Sequence, residues 1–320
     1  MRVAALDIGS NSVRLLVAEE RSGVAASVAS FGATTRLAEG FGDKGAFTSR
    51  AVARTAGAAQ QMVREAHRLD VVRVRAVATG VLRRARHGNA VVGLIEEAAG
   101  VRVEILSGAE EGRLCLLGAW SVLGPDPEQV RLIDVGGGST ELIEGTPWKV
   151  RRALSLQLGS VLINERYLRS DPPDPGDVAA ARAEAGRLLA DNGLAPKAGD
   201  VVATGGTATS LASLELALQR YSPDRVHGCR LDRERLTSVT GRLASMTIAQ
   251  RKQLVGLPRD RADIILGGAV ILLAAVESWG ADGCVVSDRG LRHGVVMELL
   301  GLGCWRGAGE PGTGGADSGQ

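Results

Sequence analysis

The stretch "ALDIGSNSVRLLV", Ala5 to Val17, places a polar knot between two apolar runs. Asp7 follows a strand-like segment, where an unpaired charge is expensive to bury and calls for compensation. Gly9 lets backbone amides turn towards a ligand with no Cβ in the way. Consecutive amides, together with the side chains of Ser10, Asn11 and Ser12, make a concavity suited to an anion. Taken alone, the same residues also describe a tight turn that satisfies its own backbone.

A second stretch favours the ligand. "LIDVGGGSTELI", Leu132 to Ile143, repeats the order apolar run, Asp, apolar residue, Gly, small polar residues, apolar run. Asp134-x-Gly136 matches Asp7-x-Gly9, and Gly136, Gly137, Gly138 and Ser139 match the first knot. The echo implies two domains of one design, each offering a strand–turn–strand loop. Carboxylates at the ends of buried strands suit a divalent cation. Mg2+ takes one or two of them and completes its octahedron with water and phosphate oxygen. Asp134, Glu141 just beyond the second loop, and Asp7 are the candidate metal carboxylates.

Around the loops, strand-like and helix-like segments alternate, which argues for an α/β fold. The patterns predict strands over Val3–Leu6, Arg14–Glu19, Val71–Ala78, Val101–Leu106, Val130–Ile133, Glu141–Ile143, Asp200–Ala203 and Gly283–Val286. They predict helices over Ser49–Arg68, Asn89–Ala99, Ala109–Val122, Ser160–Leu168, Asp177–Asp191, Ala208–Gln219, Arg233–Ser245, Arg261–Ser278 and Leu291–Leu300. Strands joined by a few residues must be antiparallel neighbours, so each sheet is mixed. The Gly124–Pro127 stretch is the expected crossing between domains 1–124 and 125–305. Residues 306–320 are Gly-rich and poor in apolar residues, and are expected to be disordered. Their GxGxxG match, Gly307 to Gly312, lacks a preceding strand and a following helix, so it is not a dinucleotide fingerprint.

Composition narrows the class. With 320 residues the chain is long enough for two domains, and with 3% aromatics its core must be aliphatic. A net charge of +2 argues against a general nucleic-acid binder. No apolar run reaches the roughly 18 residues of a membrane span, and the first 20 residues do not read as a signal peptide. Cys115, Cys229, Cys284 and Cys304 form no CxxC pair, which suggests reduced thiols in a cytoplasm. Leu291–Leu300 is apolar enough to pack across the domain junction or into a homodimer.

Three further segments carry candidate chemistry. In "VVATGGTATSLAS" (Val201–Ser213) a strand runs into a small-residue helix, whose first turn, with Gly206 and Thr207, offers amides and a positive dipole to an anion. No GxxxxGK[ST] occurs, so phosphate is not held as in a P-loop. In "ILSGAEEGRL" (Ile105–Leu114), Ser107-x-x-Glu110 fits a capping box. Glu111 lies about 100° further round the helix with no capping duty, and could accept a proton from attacking water. "ATGVLRRAR" (Ala78–Arg86) brings Arg83 or Arg84, and "VSDRGLRHGVV" brings Arg289 and Arg292, as candidate phosphate arginines or plain surface charge.

Together these pieces resemble the exopolyphosphatase / guanosine pentaphosphate phosphohydrolase family of the actin–hexokinase–Hsp70-like superfamily. The matching stretches, in family order from Val3 to about Gly303, are "DIGSNSVRLLV", "VATGVLRRA", "SGAEEGRL", "IDVGGGSTELI", "LQLGS" with "INERYL", "ATGGTATSLA", "RADIILGGAVIL" and "SDRGLRHGVV". The resemblance implies two actin-like (ribonuclease H-like) domains around a cleft, Glu111 as the base that activates water, and Asp134, Glu141 and more weakly Asp7 at Mg2+. It implies a phosphate cradle of Ser10, Asn11, Ser12, Arg83, Gly136, Gly137, Gly138, Ser139, Gly206 and Thr207. Family members often carry Asn four residues after that arginine; here His87 stands there, with Asn89 beyond. Longer relatives continue into helical domains, so this is expected to be the short, two-domain form.

The implied activity is Mg2+-dependent release of terminal phosphate from inorganic polyphosphate, of short chain. Alternatives are the 5′-phosphohydrolysis of pppGpp, a non-catalytic sensor of polyphosphate or alarmone, and a kinase of the superfamily. No nucleic-acid or membrane partner is expected.

Overall fold

A computed structural model describes residues 1–39, 41, 45–123, 129–196 and 201–303. The expected crossing at 124–125, the expected tail 306–320 and Cys304 lie outside the described residues. Sheet one has five strands: β1 (Arg2–Ile8), β2 (Ser12–Arg21), β3 (Val24–Thr34), β4 (Arg73–Ala78) and β5 (Val103–Ile105), in the order β3-β2-β1-β4-β5. Sheet two has six: β6 (Val130–Val135), β7 (Thr140–Thr146), β8 (Lys149–Leu156), β9 (Val201–Thr204), β10 (Arg230–Asp232) and β11 (Gly283–Val286), in the order β10-β11-β9-β6-β7-β8.

The internal echo extends from the loops to the sheets. In sheet one β1 pairs antiparallel with β2, β2 antiparallel with β3, and β1 parallel with β4. In sheet two β6, β7, β8 and β9 repeat those three relations. Each hairpin turn is therefore carried on the middle of a mixed sheet, with ladders on both sides to hold it still.

Helices α1 (Ser49–Arg68), α2 (Gly80–Arg84), α3 (Gly88–Ala99) and α4 (Gly108–Ala119) belong to the first half of the chain. The second half supplies α5 (Ser160–Arg166), α6 (Pro175–Asp191), α7 (Gly205–Glu215), α8 (Pro223–Val226), α9 (Arg233–Ala244), α10 (Ile248–Arg251), α11 (Ile265–Ser278) and α12 (Leu291–Leu300). On α1, Val52, Thr55, Ala56, Ala59, Met62, Val63 and Ala66 form one buried stripe at helical spacing. With α3 that stripe covers the outer face of sheet one. Helix α11 is buried from Ile265 to Val276 and fills the middle of the outer core of sheet two.

Between the two sheets lie α4 and α12. Leu114, Cys115, Leu116, Leu291, Val295 and Val296 form one buried cluster with Val3, Ala5 and Leu16 of sheet one and Leu132, Ile143 and Val202 of sheet two. Thus Leu291–Leu300 packs across the junction, against α4, β1 and β2. The two helices meet at glycines: a Cβ at Gly294 would overlap the Leu114 carbonyl, and one at Gly118 would overlap the Gly290 carbonyl.

Three strands, β3, β8 and β10, fall where no strand was predicted. β3 reads VAASVASFGAT, in which small Ala and Ser residues blur the alternation. β8 carries three basic residues, Lys149, Arg151 and Arg152, at the sheet edge. β10 has only three residues. The helix expected from Arg261 begins at Ile265, because Arg259–Arg261 form a separate 3₁₀ turn.

Gly294→Ala is expected to destabilise the protein by roughly 1–3 kcal/mol through overpacking, against the gain of up to about 1 kcal/mol that a helical Gly→Ala otherwise brings. Gly93→Ala on α3, where a Cβ meets nothing within 4 Å, is expected to show that gain. Urea midpoints with unchanged slopes check both signs.

Candidate active site

The two hairpin turns are built alike. In the first, the Gly9 amide donates to the Ser12 carbonyl at 3.0 Å; in the second, the Gly136 amide donates to the Ser139 carbonyl at 2.9 Å. The carbonyls are engaged from behind. Ser10 accepts from the Ala38 amide, and Asn11 from the amides of Thr35 and Arg36, at 2.8–3.0 Å. Gly136 and Gly137 accept from the amides of Ser160 and Val161 at the start of α5, both at 2.9 Å. A trans peptide points its N–H opposite to its C=O, so the amides of Asn11 and Gly137 point away from those backing segments, and both residues line the cleft.

The turns touch each other. The Gly138 amide donates to Ser10 Oγ at 2.9 Å. A Cβ at Gly137 would lie 3.0 Å from that of Asn11, which is why this loop is glycine at its tip. Arg84, at the end of α2, donates to the Gly138 carbonyl at 2.9 Å and so ties the two halves together.

Register decides which charges gather. Cross-strand partners share one face of a sheet. Asp7 on β1 is paired with Arg14 on β2, whereas Asp134 on β6 is paired with Glu141 on β7. The second hairpin therefore opposes two carboxylates. Burial, the Glu141 charge and then Asp7 push the Asp134 carboxyl up to about 7. Burial also raises Asp7, against the pull of Arg292 and Arg14, and its Oδ1 is buried with no hydrogen-bond partner.

Glu111 joins this group from α4. Ser107 caps that helix by accepting from the Glu110 amide at 3.1 Å. The expected reciprocal half of the box is replaced, since the Glu110 carboxylate takes two bonds from Arg113, at 2.9 and 2.8 Å. One position on, Glu111 is 5% exposed and lines the cleft with Asp7, Asp134 and Glu141. Its Oε2 accepts from Arg83 Nη1 at 2.7 Å. Burial first, then the charge of Glu141, hold its carboxyl well above the ordinary range, against that arginine.

Arg83 has little freedom. It also donates to the Leu106 carbonyl and to Ser155 Oγ, each at 2.8 Å. Other guanidiniums line the cleft: Arg14, Arg261 and Arg292. Arg261 and Arg292 are each lowered to about 10, by desolvation first and then by Arg14. Among the described residues none of the three is ion-paired. Sequence reasoning passed over Arg14 and Arg261; the Asp7–Arg14 register was the signal that could have found the first.

The cleft measures about 880 Å³, and Ser10, Asn11, Ser12, Gly136, Gly137, Ser139 and Gly206 line it. Gly205 has φ +81°, and a Cβ there would overlap the Asp134 carboxylate; one at Gly206 would overlap the Arg261 guanidinium. Thr207 lies behind the wall, donating to the Val135 carbonyl at 3.1 Å, and Thr209 and Ser210 line the cleft instead. His87 lines a separate, largely apolar pocket beside α1.

The carboxylates suit a hard cation held partly through water. Among the described residues no three Asp, Glu, His or Cys side chains converge as a direct ligand cluster. An orphaned, buried Asp7 oxygen and the raised Asp134 carboxyl show that burial outweighs the nearby Arg14, Arg261 and Arg292 charges at these two carboxylates. Asp134 and Glu141 are the residues that would hold a Mg2+ ion sharing its coordination with water and phosphate oxygen.

The description of the Ppx/GppA phosphatase family matches residues 16–302. The chain belongs to that family. Membership makes it a hydrolase of phosphoanhydride bonds. Exopolyphosphatase 2 of Mycobacterium tuberculosis is 32% identical over 94% of this chain and 99% of its own length. Exopolyphosphatase 1 of the same species is 30% identical over 94% of this chain and 88% of its own. The crystal structure of the Aquifex aeolicus Ppx/GppA family member superposes with a TM-score of 0.79, at 32% identity, over 94% of this chain and 98% of that one. The two actin-like domains of that family are thus the fold of this chain.

The Asp134 carboxyl, folded at about 7 against about 4 unfolded, fixes a sign. Between those values the folded state binds more protons, so this group's contribution is full in acid and lost as pH rises towards 7. In metal-free buffer Asp134→Asn is expected to gain stability over the wild type across that window. Denaturation midpoints from pH 4 to 8 check it, and a constant difference would count against the assignment.

Proposed function

We propose that this enzyme is an exopolyphosphatase that removes the terminal phosphate of short inorganic polyphosphate with Mg2+. One observation carries the reading: two matched turns meet at a cleft into which α4 carries Glu111, a buried carboxylate that has no part in capping its helix. The named mycobacterial relatives support the substrate class. The free thiols of Cys115, Cys229 and Cys284 suit a reducing compartment, the cytoplasm. Among the described residues no helix is long and apolar enough to cross a membrane.

In this reading the terminal phosphoryl group lies against the amides of both turns, and the Arg14, Arg261 and Arg292 wall neutralises the next phosphates. Phosphoryl transfer depends on such positioning and charge neutralisation more than on covalent steps by the protein. Glu111 takes a proton from a water molecule as its oxygen attacks the terminal phosphorus. The bond to the bridging oxygen breaks, and the shortened chain leaves with the electron pair. Burial and the Glu141 charge raise the Glu111 carboxyl, the direction that makes its ionised form a stronger proton acceptor. Mg2+, when bound, offsets charge on the phosphate oxygens.

Phosphate release from tripolyphosphate, long polyphosphate and pppGpp, each with and without Mg2+, tests the proposal. Release from the polyphosphates is expected, and activity confined to pppGpp would replace it with the nucleotide reading. Glu111→Gln is expected to lower kcat by about 10²–10⁴ with KM little changed. Arg261→Ala is expected to raise KM on the order of tenfold through loss of a charged phosphate contact.

A further inference from the structure

Sheet two aligns three residues in one row: Asp134 on β6, Glu141 on β7 and Ser155 on β8. The first two belong to the site already described. Ser155 has no assigned part, yet its hydroxyl is a junction. It accepts from Arg83 Nη2 at 2.8 Å and more weakly from Arg84 Nη1 at 3.4 Å, and it donates to Glu141 Oε1 at 2.8 Å.

The direction of this chain is forced. A guanidinium only donates, and a hydroxyl carries one proton and two lone pairs. With arginines on its acceptor side, Ser155 can send its proton only to Glu141. One small side chain thereby joins Arg83 to Glu141. Arg83 in turn grips Glu111 and the Leu106 carbonyl through its other nitrogen, Nη1. A planar guanidinium held at both ends cannot swing, so the carboxylate it holds is fixed as well.

We propose that Ser155 is a positioning residue: it locks Arg83 and Glu141 into one unit that aims the Glu111 carboxylate at the attacking water. The inference rests on the reading of Glu111 as base. Replacing Ser155 by Ala leaves Arg83 Nη2 and Glu141 Oε1 without their shared partner while removing only one oxygen atom. The fold loses little, but the aim of Glu111 loosens, and small misplacements of a reacting group are costly in rate. Substrate binding, which falls to the turns and to the Arg14, Arg261 and Arg292 wall, is unaffected.

The test uses the full chain and whichever phosphoanhydride the wild type hydrolyses, so it does not depend on the substrate being polyphosphate. Ser155→Ala is expected to lower kcat about tenfold with KM within about twofold, and Ser155→Thr, which keeps the hydroxyl, to restore most of it. In an Arg83→Gln background Ser155→Ala is expected to cost less than about twofold more, because the two act as one unit. An unchanged kcat, a loss confined to KM, or a full additional loss in the Arg83→Gln background overturns the proposal. So does a kcat loss that tracks a lowered melting temperature and is not restored by Thr. Glu111→Gln is assayed alongside: if it keeps wild-type activity, the base reading fails, whereas the Ser155–Arg83 coupling is judged by its own cycle.

Discussion

Four carboxylates, Asp7, Glu111, Asp134 and Glu141, are brought out of water onto the walls of one cleft, and the rest of the structure answers to that constraint. Burying a charge without compensation is among the most expensive acts in folding. The chain spreads the cost. Glu111 holds Arg83 and Glu141 accepts from Ser155, while Asp7 is opposite Arg14 in register without an ion pair among the described residues and keeps one oxygen unpartnered. Asp134 is left opposite Glu141 and rises to about 7. That residual strain is what a cation and a polyanion would relieve together.

The same constraint explains why the scaffold is doubled. A single turn presenting amides must satisfy its carbonyls elsewhere. In the first half the segment after β3 does this, and in the second the start of α5 does. The solutions differ: a turn segment takes the carbonyls of Ser10 and Asn11 in one, and a helix start takes those of Gly136 and Gly137, one position earlier, in the other. Because the turns are carried on two sheets joined through α4 and α12, their separation is set by a buried core of both halves. The glycine contacts of Gly118 and Gly294 let those two helices approach closely enough for that core to close.

Much of this was legible in the sequence where local chemistry and position coincide. The turns and the helices Ser49–Arg68 and Leu291–Leu300 follow from glycine placement and apolar period, whereas Glu111 stands out only through the family resemblance and its place one residue beyond the capping position. What was not legible depends on register. That Asp134 opposes Glu141 while Asp7 opposes Arg14 becomes readable only once β1–β2 and β6–β7 are paired. Ser155 illustrates the limit best. It lies in an unremarked stretch of a strand with no clean alternation, and gains its partners only when β8 lies beside β7 and α2 reaches over from the other half. Thr207 illustrates the reverse: a residue of the right type in the right motif, yet its hydroxyl turns inward to the Val135 carbonyl.

The arginines divide by what they already touch. Arg83 and Arg84 already donate to Glu111, Ser155, and the Leu106 and Gly138 carbonyls, so any phosphate they meet would take only their remaining N–H groups. Arg14, Arg261 and Arg292 sit half-buried without an ion-pair partner among the described residues, and desolvation lowers the last two to about 10. Desolvation and the Arg14 charge outweigh what Asp7 and Asp134 return to those two, a cost that a bound anion would offset. Guanidiniums suit that anion because their planar forks match phosphate oxygens. Positive charge without an ion-pair partner among the described residues on one side, and positive charge committed to Glu111 on the other, give the cleft a direction: under the proposed function the chain of phosphates would lie towards the first, and Glu111 would act from the second.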